Sequence, residues 1–264
     1  MSNRLLVPKA KRLLLPDRRI FAPAVIIPRD PWFMALPGTV PPILAAVAGQ
    51  PPVVPGTTTF NSGSGTYTVV SYNTLTIELW GGGASGGAAA SGPINGNAST
   101  VSTYSLSAGG GLRSTTNATN ANNAGPGGTA SGGNTTNTNG GAGTAPSPTN
   151  GSFGTTGRGG NAPNGGLGGA AINYSTTSAV NGNPGNAPGG GGGGGGSFIP
   201  TGGGTALKHP GGGSGAYVKH VFTYGAGGSP AIGDGIAYSV AAAANPGNAF
   251  YGLGAAGRIS FTVA

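Results

Sequence analysis

Between Thr74 and Trp80 the chain alternates: Leu75, Ile77 and Leu79 are separated by Thr76 and Glu78. A period of two places the three aliphatic residues on one face of a β-strand. Residues 216–224 repeat the pattern, with Val218, His220 and Phe222 on one face and Tyr217, Lys219, Val221 and Thr223 on the other. Residues 57–60, 66–70, 235–241 and 258–263 predict four further strands, and 61–65 and 71–73 have the Asn, Ser and Gly content of turns. Residues 56–80 and 216–264 therefore predict a small β-sandwich-like domain. The fold class is mainly β plus irregular structure, with essentially no α-helix.

That alternation stops at Gly81 and resumes only at Ala216. The intervening 135 residues carry 44 of the 58 glycines, no acidic residue, and only Arg113, Arg158 and Lys208 as cations. Glycine costs about 1 kcal/mol relative to alanine at each helix position, so ordinary helices are excluded. Collagen needs glycine at every third position, and the run 189–196 beside 170–180 breaks that rule. Ile94, Val101, Leu106, Leu112, Leu167 and Ile172 are too sparse to line a β-solenoid.

Two readings of 81–215 remain. One is a flexible Gly/Ser/Asn linker. The other is a bundle of extended polyproline/polyglycine-II helices, about 3.1 Å per residue, whose backbones bond to one another. Strands bracket the segment, and a structureless loop of that length inside a compact domain argues against the linker. Glycine-rich runs (81–92, 125–133, 140–143, 157–170, 182–196, 202–204, 211–215) alternate with bulkier polar stretches (95–107, 114–123, 134–139, 172–180, 197–201). The runs are the expected helices and the stretches the expected turns.

Residues 1–55 predict an extended arm. Eleven prolines between positions 8 and 55 interrupt any helix. Between them lie apolar clusters at 13–15, 25–27 and 32–34, which disordered linkers usually lack. Much of the net charge of +8 sits here, since residues 1–30 hold seven cations against Asp17 and Asp30. Lys11, Arg12, Arg18 and Arg19, with Leu14, Ile26, Trp32 and Phe33, are the candidate anchoring residues. Clustered cations also suit phosphate neutralisation. The interleaved aliphatic residues favour a protein surface over nucleic acid as the partner.

The composition leaves little for catalysis. There is no cysteine, and two histidines accompany four acidic residues, so no metal, cofactor or enzyme activity is expected. A phosphate-loop spacing at Gly252, Gly254 and Gly257 precedes a terminal strand rather than opening a helix. His209 or His220 with Asp234 would be the only serine-triad material, and no nucleophile elbow accompanies them. No apolar run reaches the roughly 20 residues of a membrane helix. Tyr104, Phe153, Tyr174 and Phe198, with Arg158, are candidate receptor-contact residues if they sit at turn tips; otherwise the aromatics fill gaps beside the bundle.

The stretch 65–80, whose second strand ends in Trp80 and runs into Gly81-Gly82-Gly83-Ala84-Ser85-Gly86-Gly87, resembles the opening of the glycine-rich domain of bacteriophage tail fibre and tip-adhesin proteins. Residues 210–219 are similar to that family's closing strand, and 224–228 and 254–263 to its terminal segments. The likeness spans about residues 57–264, while the basic arm is longer than a tip module requires. It implies a virion structural protein, made in the bacterial host cytoplasm, whose polyglycine domain presents loops to the host surface. Its expected partners are other virion proteins, a host polysaccharide or outer-membrane protein, and copies of itself, a trimer being the fibre-like arrangement. A head-decorating fibre or cement protein, and a secreted glycine-rich matrix or adhesion protein, are the alternatives.

Overall fold

The computed structural model describes residues 50–87, 94–114, 123–147, 153–175, 180–197, 207–247 and 251–264. The arm as far as residue 49 lies outside them. The described strands are β1 (Gly56–Phe60), β2 (Ser64–Thr68), β3 (Thr74–Trp80), β4 (Ser99–Val101), β5 (Leu106–Ala108), β6 (Ala130–Ser131), β7 (Thr136–Thr138), β8 (Phe153–Thr155), β9 (Asn173–Ser175), β10 (Gly196–Ser197), β11 (Leu207–Lys208), β12 (Tyr217–Thr223), β13 (Gly235–Ser239) and β14 (Arg258–Val263). One 3-10 turn, Ser102–Tyr104, is the helical element among the described residues.

Ten of these strands make a sandwich of two antiparallel five-stranded sheets, ordered β1-β14-β3-β12-β7 and β2-β13-β4-β5-β6. β3 is paired on both edges, Leu79 facing Val218 of β12 and Ile259 of β14 in the ladder. The predicted inward residues Leu75, Ile77 and Leu79 are fully buried. They pack with Val69, Tyr72, Val218, Ile236, Ile259 and Phe261 in one apolar core. Tyr67 stacks on Phe261 with ring centroids 4.2 Å apart, and the Tyr72 hydroxyl donates to the Pro230 carbonyl at 2.6 Å.

Four sandwich strands come from inside the glycine-rich segment. Residues 95–107, expected as a turn, hold all but the last residue of the β4–β5 hairpin, and 134–139 contain β7. The cause lies in a few apolar residues. Val101, Leu106 and Ala108 bury completely in the sandwich core, so the sequence between two glycine runs is recruited as strands.

The glycine runs form a lattice of polyglycine-II segments. Successive N–H groups of 81–87 donate in turn to three different neighbours. Gly81, Ala84 and Gly87 donate to Ala216, Gly213 and Pro210; Gly82 and Ser85 to Asn97 and Ile94; Gly83 and Gly86 to Ala255 and Gly252. A period of three in hydrogen-bond direction is that of the polyproline/polyglycine-II helix, which makes no internal bonds.

The segment 209–216 lies at the centre. It donates to 141–144, 189–195 and 109–112: Ser214 to Gly141, Gly215 to Gly189 and Ala216 to Gly109, each at 2.9 Å. It accepts from 81–87, 125–128 and 157–160, through Ala84 to Gly213, Gly128 to Ser214 and Gly160 to Gly212, also at 2.9 Å. Those six neighbours bond to one another around it. Gly111 donates to Gly82, Leu112 to Pro126, Gly143 to Gly125, Thr144 to Arg158, Gly191 to Gly160 and Gly192 to Ala84, closing a hexagon. Segments 94–97, 166–172, 183–186, 240–247 and 251–257 lie outside that ring.

The segments run alternately away from the sandwich and back. The β3–β12 ladder continues into the bundle, where Gly81 bonds to Ala216 and Ala84 to Gly213. The runs 157–170 and 182–196, each expected as one helix, are both folded in two. Pro163 and Asn164 turn the first beneath Trp80, whose indole N–H donates to both carbonyls at 3.1 and 3.2 Å. Residues 187–189 turn the second. Parity therefore brings the described residues 87, 94, 114, 123, 147, 153, 175, 180, 197, 207, 247 and 251 to the end of the bundle remote from the sandwich; the connections between them lie outside the described residues.

Candidate functional site

The candidate anchoring residues Lys11, Arg12, Leu14, Arg18, Arg19, Ile26, Trp32 and Phe33 all lie outside the described residues, as does Phe198. Of the other candidate contacts, Tyr104 belongs to the sandwich end. It is half-buried in the 3-10 turn, its ring centroid 4.6 Å from that of Phe222. There it fills a gap beside the core instead of standing at a projecting tip. The backbones of Phe153 and Tyr174 form the β8–β9 pair near the remote end, Phe153 opposite Ser175 and Tyr174 opposite Gly154. Arg158 is exposed on the returning segment 157–160, and its N–H donates to Thr144 Oγ1 at 2.7 Å. These residues do not converge on one place.

A groove that the sequence did not reveal does converge. It has a volume of about 450 Å³ and is lined by Asn181, Gly182 and Pro184 on one side and Asn245 and Gly247 on the other. Tyr251 and Leu253 lie between them on the returning segment 251–257. The lattice fixes the walls: Gly185 donates to Leu253 at 2.9 Å, and the Ala244 and Gly254 backbones bond to each other at 3.1 and 3.0 Å. Asn245 Oδ1 accepts the Gly247 N–H at 2.9 Å, which orients its carboxamide. No charged side chain lines the groove.

Behind the groove lies the one buried side-chain polar atom without a partner among the described residues, His209 Nδ1. The His209 ring meets the Tyr251 ring edge to face, centroids 5.1 Å apart. Desolvation pushes its imidazole pKa down to about 4, so the ring is neutral at pH 7. His220 lies elsewhere, its Nδ1 3.1 Å from the Gly132 carbonyl oxygen, and Asp234 Oδ2 accepts the Ala231 N–H. Neither is assembled with His209 into a triad. Gly252, Gly254 and Gly257 belong to a lattice segment that leads into β14.

The groove escaped sequence reasoning because its residues come from three separated glycine-rich stretches and share no motif. The available signal was the rarity of bulky side chains in those stretches, since Tyr251 and Leu253 stand among glycines. Among the described residues no helix is long and apolar enough to cross a membrane, and no group of three His, Asp or Glu side chains could hold a metal ion. No protein-family model matches the chain, and neither does any curated protein or solved structure.

Proposed function

We propose that this chain is a structural protein of a bacteriophage particle, a fibre or spike component that anchors by its N-terminal arm and projects its glycine bundle for attachment to the host surface. The observation that carries this reading is the polarity of the described fold. The chain enters it at Pro51, whose carbonyl accepts a hydrogen bond from the Ser71 hydroxyl. Ser71 precedes β3, and β3 runs from that end of the sandwich into the bundle. The described segments of the bundle, 81–87, 109–114 and 141–147 among them, run from the sandwich towards the other end. The described chain thus enters at the sandwich end and the bundle extends away from it, which suits a component held at one side and exposed at the other. Host polysaccharide and outer-membrane protein are the two receptor classes it fits.

Removing residues 1–49 tests the anchoring role while leaving Val53, which packs against the sandwich core, in place. The expected product is a folded remainder that no longer joins the particle. A remainder that is incorporated as well as the full chain removes the anchoring role.

A further inference from the structure

We infer that the groove along Tyr251 and Leu253 is a binding site for a short stretch of neutral saccharide. This rests on the attachment reading above and narrows it to one receptor class at one place. Three features of the groove point to the ligand. First, its volume of about 450 Å³ lies within the range of small-ligand sites, about 300–1,000 Å³.

Second, its floor and walls pair apolar surface with uncharged hydrogen-bonding groups. Leu253 is 40 % exposed although it projects from a segment of small residues; exposed Pro184 extends the apolar strip, and the largely buried Tyr251 ring contributes only an edge to it. The Asn181 side chain, exposed and lining the groove, has no hydrogen-bond partner among the described residues, which leaves both a donor and an acceptor for a ligand. Asn245 uses its oxygen on Gly247, which leaves its amide N–H groups as donors in a fixed orientation. The outward phase of the polyglycine helix adds backbone donors, because Gly252 and Gly254 bond inside the lattice while Leu253 N–H has no partner among the described residues. Alternating hydroxyls and C–H faces of a pyranose ring match such a surface, and an all-apolar ligand would leave the carboxamides unpaired.

Third, there is no charge to recognise an acidic sugar. The lining residues are Asn, Gly, Pro, Tyr and Leu, and His209 behind Tyr251 is neutral. A carboxylate or phosphate would enter without an ion-pair partner, at a desolvation cost that a neutral hydroxyl does not carry. The walls are held in place by backbone bonds, Gly185 to Leu253 and Ala244 to and from Gly254, and preorganisation of this kind limits the entropy lost on association.

The test is an NMR titration of the isotope-labelled full chain with maltotriose, cellotriose and mannotriose in turn, and with trigalacturonate as an acidic probe of the same length. At least one neutral trisaccharide is expected to shift the side-chain amide signals of Asn181 and Asn245, with trigalacturonate at least tenfold weaker. Asn181→Ala, which removes no intramolecular bond, is expected to weaken the neutral sugar about tenfold while leaving the remaining spectrum folded. Silence of both carboxamides with all three neutral sugars, or equal binding of the acidic one, overturns the proposal. Binding of the full chain to host cell envelopes separates this from the attachment reading. A chain that binds envelopes but none of the sugars loses the groove alone, and one that binds neither loses the attachment function as well.

Discussion

At Gly213 an added Cβ would fall inside the van der Waals shell of the Pro126 carbonyl oxygen, an atom of a neighbouring backbone. Backbone cannot swing aside as a side-chain end can, so the lattice must open to admit a methyl group. Gly213→Ala is expected to destabilise the fold by at least about 2 kcal/mol. Gly227→Ala, with nothing within 4 Å of the added atom, should stay within about 0.5 kcal/mol. Urea midpoints of the two variants against the parent check this, and equal losses would mean that close approach is not what the interior glycines provide. His209 gives the second prediction. The unfolded chain takes up its imidazole proton near pH 6.5, while the folded chain resists until about pH 4. Between those values the unfolded state binds more protons. The contribution is therefore complete above pH 6.5 and declines as pH falls towards 4, by on the order of 3 kcal/mol. Urea midpoints across that window should lose this slope in His209→Phe, which keeps an aromatic edge against Tyr251; an unchanged slope would place the pH dependence elsewhere.

The elements differ in how far the sequence announced them. β3, β12 and β14 were legible because alternating side chains state which face is buried, and Leu75, Ile77, Leu79, Val218 and Phe222 face the core as expected. The polyglycine segments were legible as a class, since glycine at this density excludes helix and leaves little apolar surface. Their boundaries were not. A polyglycine helix marks direction only through the phase of its N–H groups, and glycine carries no side chain to show that phase in the sequence. Gly109, Gly125, Gly141 and Gly157 recur at intervals of sixteen and open successive members of the ring, a regularity that acquires meaning only with the hydrogen bonds in view. The β4–β5 hairpin was hidden for the opposite reason. Its apolar residues are too few to outweigh the polar residues around them until the sandwich core accounts for them. Phase also makes a prediction at this scale. One glycine inserted between Gly213 and Ser214 turns all that follows by about a third of a turn, so Ser214 N–H no longer faces Gly141. Loss of the folded state is expected, followed by near-ultraviolet circular dichroism of Trp80 and its tyrosine neighbour Tyr217. The same insertion between Gly227 and Gly228, in an exposed turn, should leave that signal intact. An intact signal in the first variant would show that the central segment can slip in register.

On the scale of the whole molecule, two kinds of interior are joined end to end. The sandwich is held by apolar side chains, with a stacked aromatic pair among them, and the bundle by a hexagonal array of backbone hydrogen bonds. The candidate site shows how uneven the sequence is as a guide. Tyr104 was singled out as an aromatic among polar residues and serves the sandwich core, whereas Tyr251 and Leu253 attract notice only when their segment is placed between 181–184 and 245–247. The hexagonal array has a thermodynamic consequence as well. Unfolding a protein normally raises its heat capacity by about 12–15 cal/mol/K per residue, because exposed hydrocarbon raises it more than exposed polar groups lower it. A bundle that hides peptide groups and very little hydrocarbon contributes almost nothing to that rise, or lowers it. The sandwich supplies nearly all the curvature in the dependence of stability on temperature. The whole chain therefore has a flatter stability curve than its 264 residues would suggest, and its margin against unfolding changes little between a cold surrounding and a warm one.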